Sequence, residues 1–197
     1  MDLFDAMETC RAIRYLKPDP VPDELIEKLI HGATRASNPG NSQGWDFVVL
    51  RDRAIKDRLG RVIQERLEPA VRSMPDPSPV ERRMLDGALH LLDKFAEVPA
   101  WILVCGRLVY PPAAPTEDMV WSTVYPAAQN LILTARGLGL GTTFTTFHAA
   151  AEPEIRSELG IPDEVLIGVN VAVGWPERDF GPVARKPVSE VVHWDRW

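Results

Sequence analysis

Val165-Leu166-Ile167-Gly168-Val169-Asn170-Val171-Ala172-Val173 is the stretch on which the fold turns. This β-branched, apolar run is long enough for a central strand, and Gly174-Trp175-Pro176 is placed to terminate it. Working backwards, a helix is expected over about Pro153 to Leu159, preceded by a short strand from Thr142 to Phe147. Gly137, Gly139 and Gly141 separate that strand from a long helix, Glu117 to Leu138. Val120, Val124, Ala127, Ala128, Leu131, Ile132 and Ala135 make this helix apolar on most faces, so it must be buried in the domain or between subunits. Pro126 within it predicts a kink or a late start.

Further towards the N-terminus, Trp101 to Cys105 reads as a second strong strand, with Cys105 a buried, inert thiol. Met74-Pro75-Asp76-Pro77-Ser78-Pro79 breaks all regular structure. With the polar helix after it, Val80 to Phe95, it reads as a surface excursion of residues 70–97 and a candidate lid, since long excursions in compact domains are often binding loops. A charged helix from Ala54 towards Glu68 and a strand Phe47 to Leu50 come before it. Ser37 to Gly44 must be loop. Leu25, Ile26, Leu29, Ile30 and Ala33 recur at helical spacing, with Asp23 available as a cap. Pro18, Pro20 and Pro22 force an extended connection back to a short opening helix, Leu3 to Thr9. Strands and helices interleave without regular βαβ spacing, which favours α+β over a doubly wound fold.

With 197 residues, the chain is sized for a single domain, residues 1–197, with a real core. A formal net charge of −6 argues against a nucleic-acid surface, because phosphate backbones need a cationic excess. It leaves room for a local basic pocket holding one small anion. Two cysteines are too few for a disulfide framework or a cysteine-based metal site. No segment has the roughly 20 apolar residues that cross a membrane, and the acidic opening Met1-Asp2-Leu3-Phe4-Asp5 is unlike a signal peptide. The expectation is a cytoplasmic protein.

Several chemistries lack their signatures. Gly137-Leu138-Gly139-Leu140-Gly141 follows a helix rather than a strand, so it reads as a helix stop and not as a dinucleotide fingerprint. There is no P-loop and no Gly-x-Ser-x-Gly elbow. His31, His90, His148 and His193 are scattered without ligand spacing, so each is expected at the surface or in a cap, and no metal is expected. Arg11 and Arg14 could activate Cys10 as a nucleophile, but no partner base is identifiable.

Four separated segments carry a resemblance. Cys10-Arg11-Ala12-Ile13-Arg14-Tyr15 is similar to Arg-Arg-Ser-[Ile/Val]-Arg-[Lys/Arg]-[Phe/Tyr]. Ala36-Ser37-Asn38-Pro39-Gly40-Asn41-Ser42-Gln43-Gly44-Trp45-Asp46-Phe47 is similar to Ala-Pro-Ser-x-x-Asn-x-Gln-Pro-Trp-x-Phe. Ala127-Ala128-Gln129-Asn130-Leu131 leads to the glycine stop, and Val173-Gly174-Trp175-Pro176 is followed by Arg185-Lys186-Pro187-Val188-Ser189-Glu190-Val191-Val192. Each is weak alone; their order and spacing along the chain make the set specific. Together they resemble the FMN-dependent nitroreductase family.

The resemblance implies a central mixed or antiparallel sheet flanked by helices, and a homodimer with shared active sites on which the C-terminal tail packs. It implies FMN as cofactor and NAD(P)H as co-substrate. Hydride would pass through the flavin N5 to a nitroaromatic, quinone or enone by ping-pong, with no essential acid or base among the side chains. By position, Arg11 and Arg185 would hold the phosphate, Ala12 would lie beside it, and Arg14 would approach the pyrimidine edge, where a cation stabilises reduced flavin. Ser37, Asn38, Pro39, Asn41 and Gln43 would reach the flavin of the partner subunit, and the backbone at Thr145 and Thr146 would lie beside N5. Cys10 replaces an Arg and Ala12 a Ser of the family pattern, each a loss of about 1–3 kcal/mol of phosphate affinity. The same scaffold supports reductive dehalogenation and oxygen-dependent flavin destruction, and a flavin store without turnover is a further alternative.

Overall fold

A computed structural model describes residues 1–197. Five strands form one antiparallel sheet: β1 (Leu16–Lys17), β2 (Trp45–Leu50), β3 (Ala100–Arg107), β4 (Gly141–Thr145) and β5 (Val165–Pro176). The order is β1-β5-β3-β2, with β4 also pairing to β5. Because β3 and β4 both pair with residues 170–173, they occupy opposite edges of β5. The six helices are α1 (Leu3–Thr9), α2 (Asp23–Ala33), α3 (Arg53–Arg72), α4 (Pro79–Asp93), α5 (Glu117–Gly137) and α6 (Glu152–Leu159).

Both faces of the sheet are covered, which is why β3 and β5 read as continuous apolar runs instead of alternating ones. On β3, Ala100, Ile102 and Val104 face one core with α2 and α5, while Trp101, Leu103 and Cys105 face a second core under α3, α4 and α6. Strand β5 alternates between the two cores, with Ala172 in the second between Val171 and Val173 in the first, and it also carries a bulge. Val104 pairs with Val169 but Cys105 pairs with Ile167, leaving Gly168 over. One extra residue inverts the side-chain parity: Val165 and Ile167 enter the second core, Val169, Val171 and Val173 the first. Gly168 has a packing reason as well, since a Cβ there would lie 2.5 Å from Val124 of α5.

Most elements fall where the sequence puts them, with instructive differences. Asp23 does not cap α2: Pro22 occupies the cap position, and Asp23 sits in the first turn, paired with Arg51. There the carboxylate still faces the positive end of the helix dipole. Strand β5 does not stop before Gly174-Trp175-Pro176. Trp175 and Pro176 pair with Lys17 and Leu16, because β1 supplies the edge that continues the ladder. Helix α5 begins at Glu117, so Pro126 does not delay its start. The segment 70–97 is not purely a surface excursion: Leu91, Leu92 and Phe95 are buried in the second core, and only the first turns of α4 project. Its polar composition reflects those first turns, opened by a Ser78–Glu81 capping box. His148 is buried rather than superficial, in the turn between β4 and α6. No helix is long and apolar enough to cross a membrane.

Candidate functional site

The extended segment Cys10 to Tyr15 is laid along the free edge of β4. Ile13 donates its N–H to the Thr142 carbonyl (2.8 Å), and the Thr143 hydroxyl donates to the Ile13 carbonyl (2.6 Å). Gly141 makes this approach possible, because a Cβ there would lie 2.9 Å from Ile13 and Leu16. The C-terminal tail comes back to the same place, where Val183 donates to the Glu8 carbonyl (2.8 Å). Arg136 closes the corner: its Nε donates to the Thr9 hydroxyl (2.8 Å) and its guanidinium lies 4.0 Å from the Phe180 ring centroid.

These contacts bring Arg11, Ala12 and Arg185 to one cavity of about 430 Å³, within the range of small-molecule sites. Thr142 and Phe144 of β4, and Gln129, Ile132 and Leu133 of α5, form its other walls. No carboxylate lines it, so the two guanidinium groups face an otherwise neutral and largely apolar space. Neither makes an ion pair within the chain. Cys10 is at the rim; burial pushes its thiol up, and Arg136 and Arg185 oppose that. Burial also drives the Cys105 thiol up to about 12.

Arg14 is half-buried and turned towards α4, where Gly87 makes room for it: a Cβ there would lie 2.9 Å from its Cδ. Burial, and then the charge of Arg11, push its pKa below the ordinary arginine value.

The loop residues are elsewhere. Ser37, Asn38, Pro39, Asn41 and Gln43 line neither the Arg11–Arg185 cavity nor the Arg14 hollow. The loop is fixed by the Gln43 N–H donating to Asn38 Oδ1 (2.8 Å), and Asn41 and Gln43 adopt the left-handed region at φ 50 and 51°. Gly40 is required there, because its φ is 59° and a Cβ would meet the Tyr110 ring at 2.2 Å. Thr145 is buried, paired with Asn170 of β5, and its hydroxyl donates to the Asn170 carbonyl (2.8 Å); neither it nor Thr146 lines the Arg11–Arg185 cavity. Thr146 is exposed next to it. Sequence reasoning missed Gln129, Thr142, Phe144, Arg136 and Gly87. None was legible as a site residue from local spacing, because only the docking of the opening segment and the tail against β4 and α5 brings them together.

Another hollow, about 600 Å³ beside α6, has different chemistry. Its one guanidinium, Arg156, is already committed to Glu152 and to the Pro162 and Val165 carbonyls. No group of three or more His, Cys, Asp or Glu side chains is arranged to hold a metal.

Residues 8–175 match the sequence profile of the Nitroreductase family. The chain belongs to that family. It is 28% identical over 191 residues to an NADH dehydrogenase of Thermus thermophilus, covering 93% of this chain and 91% of that one. A solved BluB-like flavoprotein from Clostridium difficile 630 superimposes with a TM-score of 0.74 at 26% identity, over 100% of both chains. Oxidized iodotyrosine deiodinase, solved with FMN and 3-iodo-L-tyrosine, has the same fold at a TM-score of 0.81 and 21% identity, again over 100% of both chains.

Proposed function

We propose that this protein is an FMN-dependent, NAD(P)H-oxidising flavin oxidoreductase that works as a homodimer with shared active sites. The observation that carries the reading is the Arg11–Arg185 cavity, whose walls combine two guanidinium groups without carboxylate partners with apolar side chains. That donor set fits a ligand with a phosphate at one end and a flat apolar ring system at the other. FMN, when bound, supplies hydride acceptance from NAD(P)H and donation to an electron-poor acceptor such as a nitroaromatic, quinone or enone.

The chain's own residues bind and orient. Arg11 and Arg185 neutralise the phosphate, Ala12 lets it approach the backbone without adding a bond, and Arg14 presents positive charge from the α4 side. The backbone at Thr145 and Thr146 supplies fixed dipoles along β4. Asn38, Pro39, Asn41, Gln43 and Ser37 serve the partner subunit's cavity, a role supported by their absence from the walls of the cavity in their own chain. Exposed apolar groups on α1 (Leu3, Phe4), on α5 and β4 (Tyr125, Phe144) and on the tail (Trp194, Trp197) are the surface such a dimer would cover. Sedimentation at the mass of a single chain would sink the dimer. We place this activity in the cytoplasm, a compartment that regenerates NAD(P)H.

The reading is tested by identifying the flavin released on denaturing the purified protein and by titrating apoprotein with FMN and riboflavin. FMN is expected to bind much the tighter, because only it carries the phosphate. Equal affinity for the two would show that Arg11 and Arg185 grip no phosphate.

A further inference from the structure

A second hollow, of about 450 Å³, adjoins the flavin cavity at Arg11 and Ala12. Its outer walls come from elements that the flavin assignment does not use: Arg83 and Asp86 from α4, Arg178 and Asp179 from the turn after β5. Arg178 is held with its guanidinium over the Tyr15 ring (5.1 Å), and Tyr15 in turn stacks on His90 of α4 (4.2 Å between centroids). Arg11 and Arg14 also line this hollow but serve the flavin; of the guanidinium groups left, neither Arg83 nor Arg178 pairs with a carboxylate, although Asp86 and Asp179 face the same space.

That mixture selects a ligand chemistry. A bare anion would be opposed by the two aspartates, and a neutral acceptor would need none of the arginines. A ribosyl phosphate uses both: phosphate oxygens accept from guanidinium groups, and sugar hydroxyls donate to carboxylates. We propose that this hollow is the binding subsite for the ribosyl-phosphate part of the pyridine nucleotide, with Arg83 and Arg178 on phosphate and Asp86 and Asp179 on ribose hydroxyls. The assignment rests on the flavoprotein reading above for the identity of the ligand. It also accounts for the projecting turns of α4, which carry Arg83 and Asp86 about one helical turn apart, on one face.

The experiment is calorimetric titration of flavin-free and flavin-loaded protein with NAD⁺, NADP⁺ and inorganic pyrophosphate, in wild type, Arg83→Gln, Arg178→Gln and Asp86→Asn. FMN affinity of each variant is measured separately by quenching of flavin fluorescence, and thermal melting confirms that each is folded. Arg83→Gln and Arg178→Gln should each weaken the nucleotides and pyrophosphate about tenfold or more while moving FMN affinity by less than about twofold. Asp86→Asn should weaken the nucleotides yet tighten pyrophosphate, because it exchanges a charged hydroxyl acceptor for a weaker neutral one and removes a like charge from beside the phosphate. Unchanged nucleotide affinity in both arginine variants overturns the subsite. A parallel loss of FMN affinity overturns it too, by assigning the cluster to the flavin. Tightening of nucleotide and pyrophosphate alike in Asp86→Asn overturns the ribose contact. If wild type takes up no flavin, the functional reading falls, while the flavin-free titrations still decide the subsite.

Discussion

Arg185 shows how much a single residue depends on its setting. It lies in an exposed tail with little regular structure, and its Nη1 donates only to the neighbouring Ala184 carbonyl (2.8 Å). It becomes a site residue because Val183 is tied to Glu8 and Phe180 lies against the Arg136 guanidinium, which hold the tail against the Arg11 segment. Arg11→Gln and Arg185→Gln are each expected to raise the FMN dissociation constant about 10- to 100-fold, the worth of a hydrogen-bonded charge. Riboflavin affinity should stay level, and a matching loss for riboflavin would show structural damage. A second residue-scale consequence concerns His148. Its Nδ1 is buried without a partner, and burial lowers its pKa against the upward pull of Glu152 and the Ile167 carbonyl. The folded protein therefore holds it neutral while the unfolded chain, at the ordinary 6.5, binds the proton first. This stabilising contribution is complete above about pH 6.5 and is lost as pH falls below it. Melting temperature should fall on acidification through this window, and His148→Gln should flatten that slope. An identical slope in the variant would contradict the assignment.

At the scale of elements, legibility followed the apolar pattern. The α2 stripe was readable from its helical spacing, and the strand over Trp101 to Cys105 and helix α5 from their dense apolar runs. The β5 bulge was not, since an unbroken apolar run carries no parity signal; only pairing with β3 reveals the extra Gly168. Helix α4 misled for a related reason. Its first turns are polar and its last turns apolar, so its mean composition describes neither half. The buried half anchors the helix, and the exposed half, with Val80 and Met84, is free to touch substrate. We propose that it sets acceptor choice as a lid. Val80→Ser and Met84→Ser together should change the ratio of quinone to nitroaromatic turnover while leaving the melting temperature in place. An unaltered ratio would remove the lid role.

For the whole molecule, the family and its sheet-and-helix architecture were legible because four motifs keep their order from residue 10 to residue 192. The site was only partly legible. Arg11, Ala12 and Arg185 do meet, whereas the loop from Ser37 to Gln43 does not join them in one chain. The spacing of the loop residues says nothing of which copy of the chain they serve; it was the family resemblance that implied the partner subunit. Likewise Arg83 and Arg178 belong to no motif, and their convergence depends on α4 docking against Arg14 and Tyr15. The most direct test of the central claim is anaerobic rapid mixing of the FMN-loaded protein with NADH or NADPH, following the visible absorption of the bound flavin. The account predicts prompt bleaching by at least one of the two nucleotides and recovery of the colour when a quinone is added. A bound flavin that stays oxidised with both would contradict it and leave a flavin-binding protein without turnover.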